Sequence, residues 1–281
     1  MLVIDNAWQR WLHENADRGC TVESMVDVMV AAGFDRPAAT VAVNLARGGH
    51  DVDATRLEPD ERYQYDAPLG ADANLIHVGD RDVHVLARMR QPEVMVLGGL
   101  LSDDECEAMI ALSRDKLRPS TVVDPERGDE NLHADRSSEG VFFQRGEADL
   151  ITRVEQRIAA LTHYAVEHGE GLQVLHYRHG GEYRPHFDYF PLDHKGTARH
   201  LQHGGQRVAT LIVYLNDVQS GGETIFPDVG FSVVGRRGNA VYFRYMNERG
   251  QLDRKTLHGG APVLAGEKWI MTKWLRERPY I

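Results

Sequence analysis

Apolar residues in the first third of the chain recur at helical spacing. Those in the last third fall in short runs separated by turns. Val22, Met25, Val26, Met29 and Val30 follow Thr21, so a helix is predicted with Thr21 as its N-cap and Gly33 as a left-handed stop. Trp8 and Leu12 suggest a short opening helix. Pro37, favoured in a first helical turn, begins another helical pattern that ends at Gly48-Gly49. Residues 49–74 are polar and aperiodic, and read as a linker between a helical region, 1–48, and a larger domain, 75–281. Within that domain the runs 75–78 and 83–86 flank Gly79-Asp80-Arg81-Asp82 as a hairpin, and 93–97 reads as a strand. Ser102 and Glu105 make a capping box for a helix that buries Cys106, Met109 and Ile110. Ile151, Val154, Ile158 and Leu161 mark a further amphipathic helix. After Gly171, apolar runs at 172–177, 207–215, 239–245 and 268–275 alternate with Gly, Pro and Asp turns, the pattern of a β-sandwich or barrel. The class is therefore α+β.

Composition narrows the function more than the fold. A chain of 281 residues with 42% hydrophobic and 26% charged residues buries a real core, which excludes global disorder. Lys plus Arg number 32 against 42 for Asp plus Glu, a net charge of -10, which argues against non-specific binding to nucleic acid or anionic membrane. Cys20 and Cys106 are too few and too far apart for a disulfide framework or a zinc knuckle. No basic stretch leads into a long apolar one at the N-terminus, and no run approaches the ~18 apolar residues of a membrane span. A reducing cytoplasm is the expected location.

The candidate chemistry is metal-centred. Oxygen chemistry at a divalent metal needs few protein ligands, so that positions stay open, and two imidazoles with one carboxylate meet that need for iron. His186 and Asp188 are two apart, so on a strand both point to one side while Phe187 faces away. His-x-Asp alone is weak evidence in a chain with 14 histidines, and His133-Ala134-Asp135 is a second instance. That second pair sits in a polar, turn-rich stretch, whereas His186 and Asp188 alternate with aromatics in Tyr183-Arg184-Pro185-His186-Phe187-Asp188-Tyr189-Phe190. A third ligand must come from a distant strand, and His258 precedes Lys268 at the start of the last apolar run. A lysine there reads either as a solvated strand end or as a buried cation for the far carboxylate of a dicarboxylate.

Taken together, these residues resemble the prolyl 4-hydroxylase branch of the Fe(II)/2-oxoglutarate-dependent dioxygenases. The resemblance runs through Leu172-Gln173-Val174-Leu175-His176-Tyr177, the Tyr183 to Phe190 block, Arg207-Val208-Ala209-Thr210-Leu211, Gly221-Gly222-Glu223-Thr224 and Gly266-Glu267-Lys268-Trp269. It implies a double-stranded β-helix (jelly-roll) core with supporting helices, preceded by the small helical region. His186, Asp188 and His258 match the iron ligands, and no catalytic side chain is implied beyond that centre. Lys268, Tyr177, Thr224 and Trp274 match the 2-oxoglutarate site. Tyr183 and Arg207 match positions that face the substrate. Arg136-Ser137-Ser138 resembles the substrate-loop signature, in which Arg136 and Ser138 bind substrate, although Glu139 adds an unexpected charge. The implied cofactors are Fe(II) and 2-oxoglutarate, with ascorbate as reductant. The implied reaction hydroxylates an unactivated C–H bond, of a prolyl residue in a peptide or protein, and releases succinate and CO2.

Each role also has a plainer reading: Tyr177 and Trp274 as core aromatics, Arg207 as a surface cation, Thr224 as turn chemistry. Free proline, pipecolate or another small amino acid is an alternative substrate, its carboxylate gripped by Arg207. A non-catalytic jelly-roll binding or sensing protein is the alternative from another class. Residues 118–139 and 192–206 read as lids, the second carrying His194, Lys195, Arg199, His200 and His203. The N-terminal helices read as a partner-binding module, a homodimer contact or a cap.

Overall fold

A computed structural model describes residues 6–18, 20–34, 36, 39, 42–43, 63–70, 72–120, 122–123, 130–131, 137–191 and 197–280. The chain forms two compact units, Met1–Arg62 and Tyr63–Ile281.

The first unit contains helices α1 (Asn6–Asp17) and α2 (Val22–Ala31). Thr21 caps α2, its hydroxyl accepting from Ser24 N at 3.2 Å, and Gly33 follows at a φ of 99°. Residues 36, 39, 42 and 43 are helical; the rest of the helix predicted from Pro37 lies outside the described residues. Leu12, Met25, Val26, Met29 and Phe34 are buried together, and Trp8 packs edge-on against Trp11 and Phe34 at 5.2 and 5.1 Å between ring centroids.

The second unit begins at Tyr63, earlier than the linker reading placed it. Residues 63–74 belong to it because Leu69 is buried in its core and the Leu69 N–H donates to Glu93 at 2.8 Å. The predicted hairpin is present as β1 (Leu75–His77) and β2 (Asp82–Arg90), followed by β3 (Glu93–Gly98). The capping box closes α3 (Asp103–Arg114), with Ser102 and Glu105 satisfying each other's backbone N–H. Short strands β4 (Arg118–Pro119), β5 (Val122–Val123) and β6 (Glu130–Asn131) precede β7 (Glu139–Phe143) and the amphipathic helix α4 (Asp149–Thr162). Then come β8 (Leu172–Tyr177), β9 (Tyr183–His186), the short helix α5 (Thr197–Leu201), β10 (Arg207–Tyr214), β11 (Ser220–Gly221), β12 (Thr224–Phe226) and β13 (Phe231–Val233). The chain closes with β14 (Ala240–Arg244), β15 (His258–Gly260), β16 (Val263–Ala265) and β17 (Lys268–Arg276).

Nine strands form one sheet in the order β1-β2-β3-β14-β10-β17-β8-β7-β4, and four form another, β13-β12-β15-β9. All pairings are antiparallel, as in a double-stranded β-helix. The central strands are apolar on both faces because both are covered. Ala209, Leu211, Val213, Met271 and Leu275 meet Met109, Val154 and Ile158 of the helices. Their alternates Ile212, Tyr214, Ile270 and Leu175 face Phe226 and Val233 of the smaller sheet. Burying each such aliphatic side chain contributes about 1.5–3 kcal/mol, so a one-residue slip is strongly disfavoured. That register puts Lys268 opposite Tyr177, and Trp274 opposite Thr210, on the face turned toward the smaller sheet. Among the described residues, no helix is long and apolar enough to cross a membrane.

Candidate active site

Between the sheets lies a cavity with an apolar wall of Leu175, Ile212 and Ile270. His186 ends β9 and pairs directly with His258 at the start of β15. Asp188 lies just beyond the strand rather than within it, in the bend that follows. One ligand atom from each of His186, Asp188 and His258 lies within 4.8 Å of the others. Each histidine Nε2 stands 3.5 Å from an Asp188 carboxylate oxygen. The close strand approach depends on Gly259, where a Cβ would stand 2.8 Å from the Tyr183 carbonyl oxygen.

Both imidazoles are held in the state a metal needs. The Nδ1–H of His186 donates to the Arg184 carbonyl at 2.8 Å, and that of His258 to the Thr256 carbonyl at 3.0 Å. Each leaves an Nε2 lone pair for coordination. Burial pulls the His258 pKa down to about 4, against the partial pull of Asp188, so its ring is neutral at pH 7. Burial alone would raise the Asp188 carboxyl, but His258, His186 and Arg207 together outweigh it and hold the group well below the usual carboxylate range. Thr210 Oγ1 donates to Asp188 Oδ2 at 2.6 Å. Its single proton is thereby used, so the 3.2 Å contact with Tyr245 has the tyrosine hydroxyl as donor. Two imidazoles with Nε2 turned inward and an ionised carboxylate, all oriented by neighbours, fit a divalent iron with open positions.

At the other end of the cavity, Lys268 is buried, with 3% exposure. It makes no ion pair or hydrogen bond with the described residues, and its Nζ lies 5.5 Å from the centre of the Tyr177 ring. Burial lowers the lysine to about 8, against a weak opposing pull from Glu223. The solvated-end reading of this lysine is therefore excluded. Thr224 follows the turn through Gly221 and Gly222, whose φ values of 73° and 72° only glycine adopts freely. Its hydroxyl accepts from Tyr214 at 2.8 Å and keeps its own proton to donate. Trp274 also lines the cavity, its Nε1 buried without a partner.

The residues matched to substrate positions fare unequally. Tyr183 lines the mouth and stacks on His186 with ring centroids 3.7 Å apart. Arg207 is not free to face a substrate: it makes a two-point pair with Glu170 at 2.6 and 2.9 Å and lies 4.0 Å over the Trp274 ring. Ser138 is not among the residues that line the cavity; it is buried and donates to Ser120 at 2.9 Å. Its neighbour Ser137 docks on Glu182 instead. Arg136, His133 and Lys195 lie outside the described residues. Thr210, Tyr245 and Glu170 were missed by the sequence reading. Thr210 was detectable as a polar break in an apolar strand; Glu170 had no local signal.

A model of the 2OG-Fe(II) oxygenase superfamily matches residues 172–276. Probable prolyl 4-hydroxylase 3 of Arabidopsis thaliana is 41% identical over 72% of this chain and 75% of its own length. Prolyl 4-hydroxylase 1 of the same plant is 39% identical over 74% and 76%. The crystal structure of a viral collagen prolyl hydroxylase from Paramecium Bursaria Chlorella virus-1, a 2OG complex, superposes with a TM-score of 0.52 and 28% identity, covering 65% of this chain and 95% of that one. Fold and site thus define a 2-oxoglutarate-dependent dioxygenase with Fe(II) and 2-oxoglutarate as cofactors. Within that superfamily, the chain belongs to the prolyl 4-hydroxylase family.

Proposed function

We propose that this enzyme hydroxylates a prolyl residue of a peptide or protein. His186 and His258 hold the iron through Nε2, and Asp188 through its carboxylate. The Lys268 ammonium receives the far carboxylate of 2-oxoglutarate, with the Thr224 hydroxyl and Tyr177 beside it, and Trp274 packs along the cosubstrate. When bound, iron and 2-oxoglutarate supply the oxidising power: one O2 is consumed, one oxygen enters succinate as CO2 leaves, and the other becomes the new hydroxyl. The protein's part is orientation and the exclusion of water by the apolar wall.

The observation that carries the peptidyl reading is the occupation of Arg207 by Glu170. A free amino acid would need a cation for its carboxylate, and this one is already paired. The mouth is instead aromatic: Tyr183 stacks on His186, and Phe142, 52% exposed, lies 6.4 Å from Trp274 between ring centroids. Such faces suit the flat, apolar pyrrolidine ring of proline in an extended peptide. The names of the Arabidopsis relatives support the same class of substrate. Ascorbate is the proposed reductant, and the cytoplasm the proposed location.

The test supplies Fe(II), ascorbate and 2-oxoglutarate with proline-rich peptides and, separately, free proline and pipecolate. Mass spectrometry is expected to find one added oxygen on a peptidyl proline, matched by succinate. Oxygen on the free amino acid alone would overturn the peptidyl reading, and no succinate with any substrate would favour a sensing protein.

A further inference from the structure

The segment upstream of the oxygenase core is bonded to the connection that leads into His258. Residues 63–70 form no regular element, yet backbone and side chains are tied to the connection that precedes His258. Gln64 N donates to Gln251 Oε1 at 3.0 Å, Asn247 Nδ2 to the Gln64 carbonyl at 2.8 Å, and Glu248 N to Asp66 Oδ2 at 3.0 Å. At the centre, the Tyr65 hydroxyl donates to Asp253 Oδ2 at 2.8 Å.

Asp253 is a branching point. Its other carboxylate oxygen accepts from Lys255 N at 2.9 Å, and its carbonyl accepts from Thr256 Oγ1 at 2.7 Å. These bonds shape the short helical turn Arg254–Thr256. The Thr256 carbonyl then receives the Nδ1–H of His258 at 3.0 Å, the bond that turns Nε2 toward the cavity. The Asp253 N–H also donates to the Tyr245 carbonyl at 2.8 Å, and Tyr245 carries Thr210, which holds Asp188. Asp253, Thr256 and His258 are 2%, 1% and 3% exposed, so the turn itself is shielded from water, while Tyr65 is half-buried.

We infer that Tyr65 and Asp253 are positioning residues for the metal site, acting on His258 through the turn Arg254–Thr256. The catalytic apparatus thus extends upstream of the 172–276 match to the start of the second unit. The inference rests on the reading of His258 as an iron ligand.

The test titrates the full-length apoprotein with Co(II), followed by its visible absorption, in wild type, Tyr65→Phe, Glu93→Gln and His258→Ala. Tyr65→Phe removes only the hydroxyl, and is expected to weaken Co(II) binding on the order of 5-fold and to shift the band shape, below the 10- to 100-fold typical of a direct partner of a ligand. Glu93→Gln removes the charge that pairs with Arg244, which itself holds the Ala67 carbonyl and Asp66, and so loosens the same segment at another anchor; it should lower Tm with Co(II) affinity unchanged. Tyr65→Phe binding Co(II) like wild type while His258→Ala loses it would overturn the inference alone. Equal weakening in Glu93→Gln would also overturn it, since loosening would then be general. Wild-type binding by His258→Ala would overturn the ligand reading and the inference together.

Discussion

Lys268 and Lys273 stand on one strand and face opposite layers, and their fates differ. Both are buried, at 3% and 1% exposure. Lys273 points under the helices and donates to Glu155 at 2.8 Å, with both side chains 2% exposed. Lys268 points between the sheets and pairs with none of the described carboxylates. Burial lowers both lysines, and Glu155 offsets that effect at Lys273. The helix side therefore supplies Lys273 with its partner, while the cavity side carries unspent polar valence: the Lys268 ammonium, the Trp274 Nε1 and the two imidazole Nε2 atoms. An unpaired buried cation is costly, and a fold retains it where a ligand supplies the missing partner.

Substitutions can break this contrast from the cavity side first. His258→Ala should abolish 2-oxoglutarate turnover and leave the fold intact, because the ligand sits inside an already closed β core; circular dichroism and succinate release check both halves. Lys268→Ala should weaken 2-oxoglutarate binding on the order of 100-fold, as expected for losing one ~3 kcal/mol partner of a buried charged contact, with Co(II) affinity retained. Full activity in either variant would refute the assignment.

The same lysine sharpens the comparison through pH. Its pKa of about 8 means that the ammonium proposed to bind the dicarboxylate is present below that value and lost above it. Affinity for 2-oxoglutarate should therefore fall as pH rises past 8, by about 10-fold for each unit well above it. Lys268→Arg, charged throughout, should flatten that dependence whatever its absolute affinity. The smallest effect on the cavity is expected from the other layer. Glu155→Gln strands a buried ammonium and should cost about 3 kcal/mol or more in stability, with metal and 2-oxoglutarate affinities unchanged. The double change Glu155→Leu/Lys273→Met should recover most of that loss; denaturant melts measure both.

Much of this is legible in the sequence because local physics controls it. The capping box at Ser102, the Gly33 stop and the Gly79 hairpin each involve residues a few positions apart. Apolar runs bounded by Gly, Pro and Asp turns marked the late strands, and the aromatic setting of His186 and Asp188 separated that pair from His133-Ala134-Asp135. Residues 63–74 misled as a linker, because their partners, Asp253, Gln251 and Glu93, are remote and their own composition is polar. Arg207 misled in a different way: position said that it was near the substrate, but Glu170, the Asp188 carbonyl and the Trp274 ring decide where its guanidinium points.

Element type, the candidate metal-ligating residue types and the candidate cation thus follow from the sequence by itself, because periodicity, capping and turn chemistry act over a few residues. Tertiary structure alone decided the pairing of His258 with His186, the Thr210 and Thr256 bonds that orient the ligands, and which buried lysine stays unpaired. Those depend on strand register and long-range burial, where a single side chain's partner is set by which layer it faces.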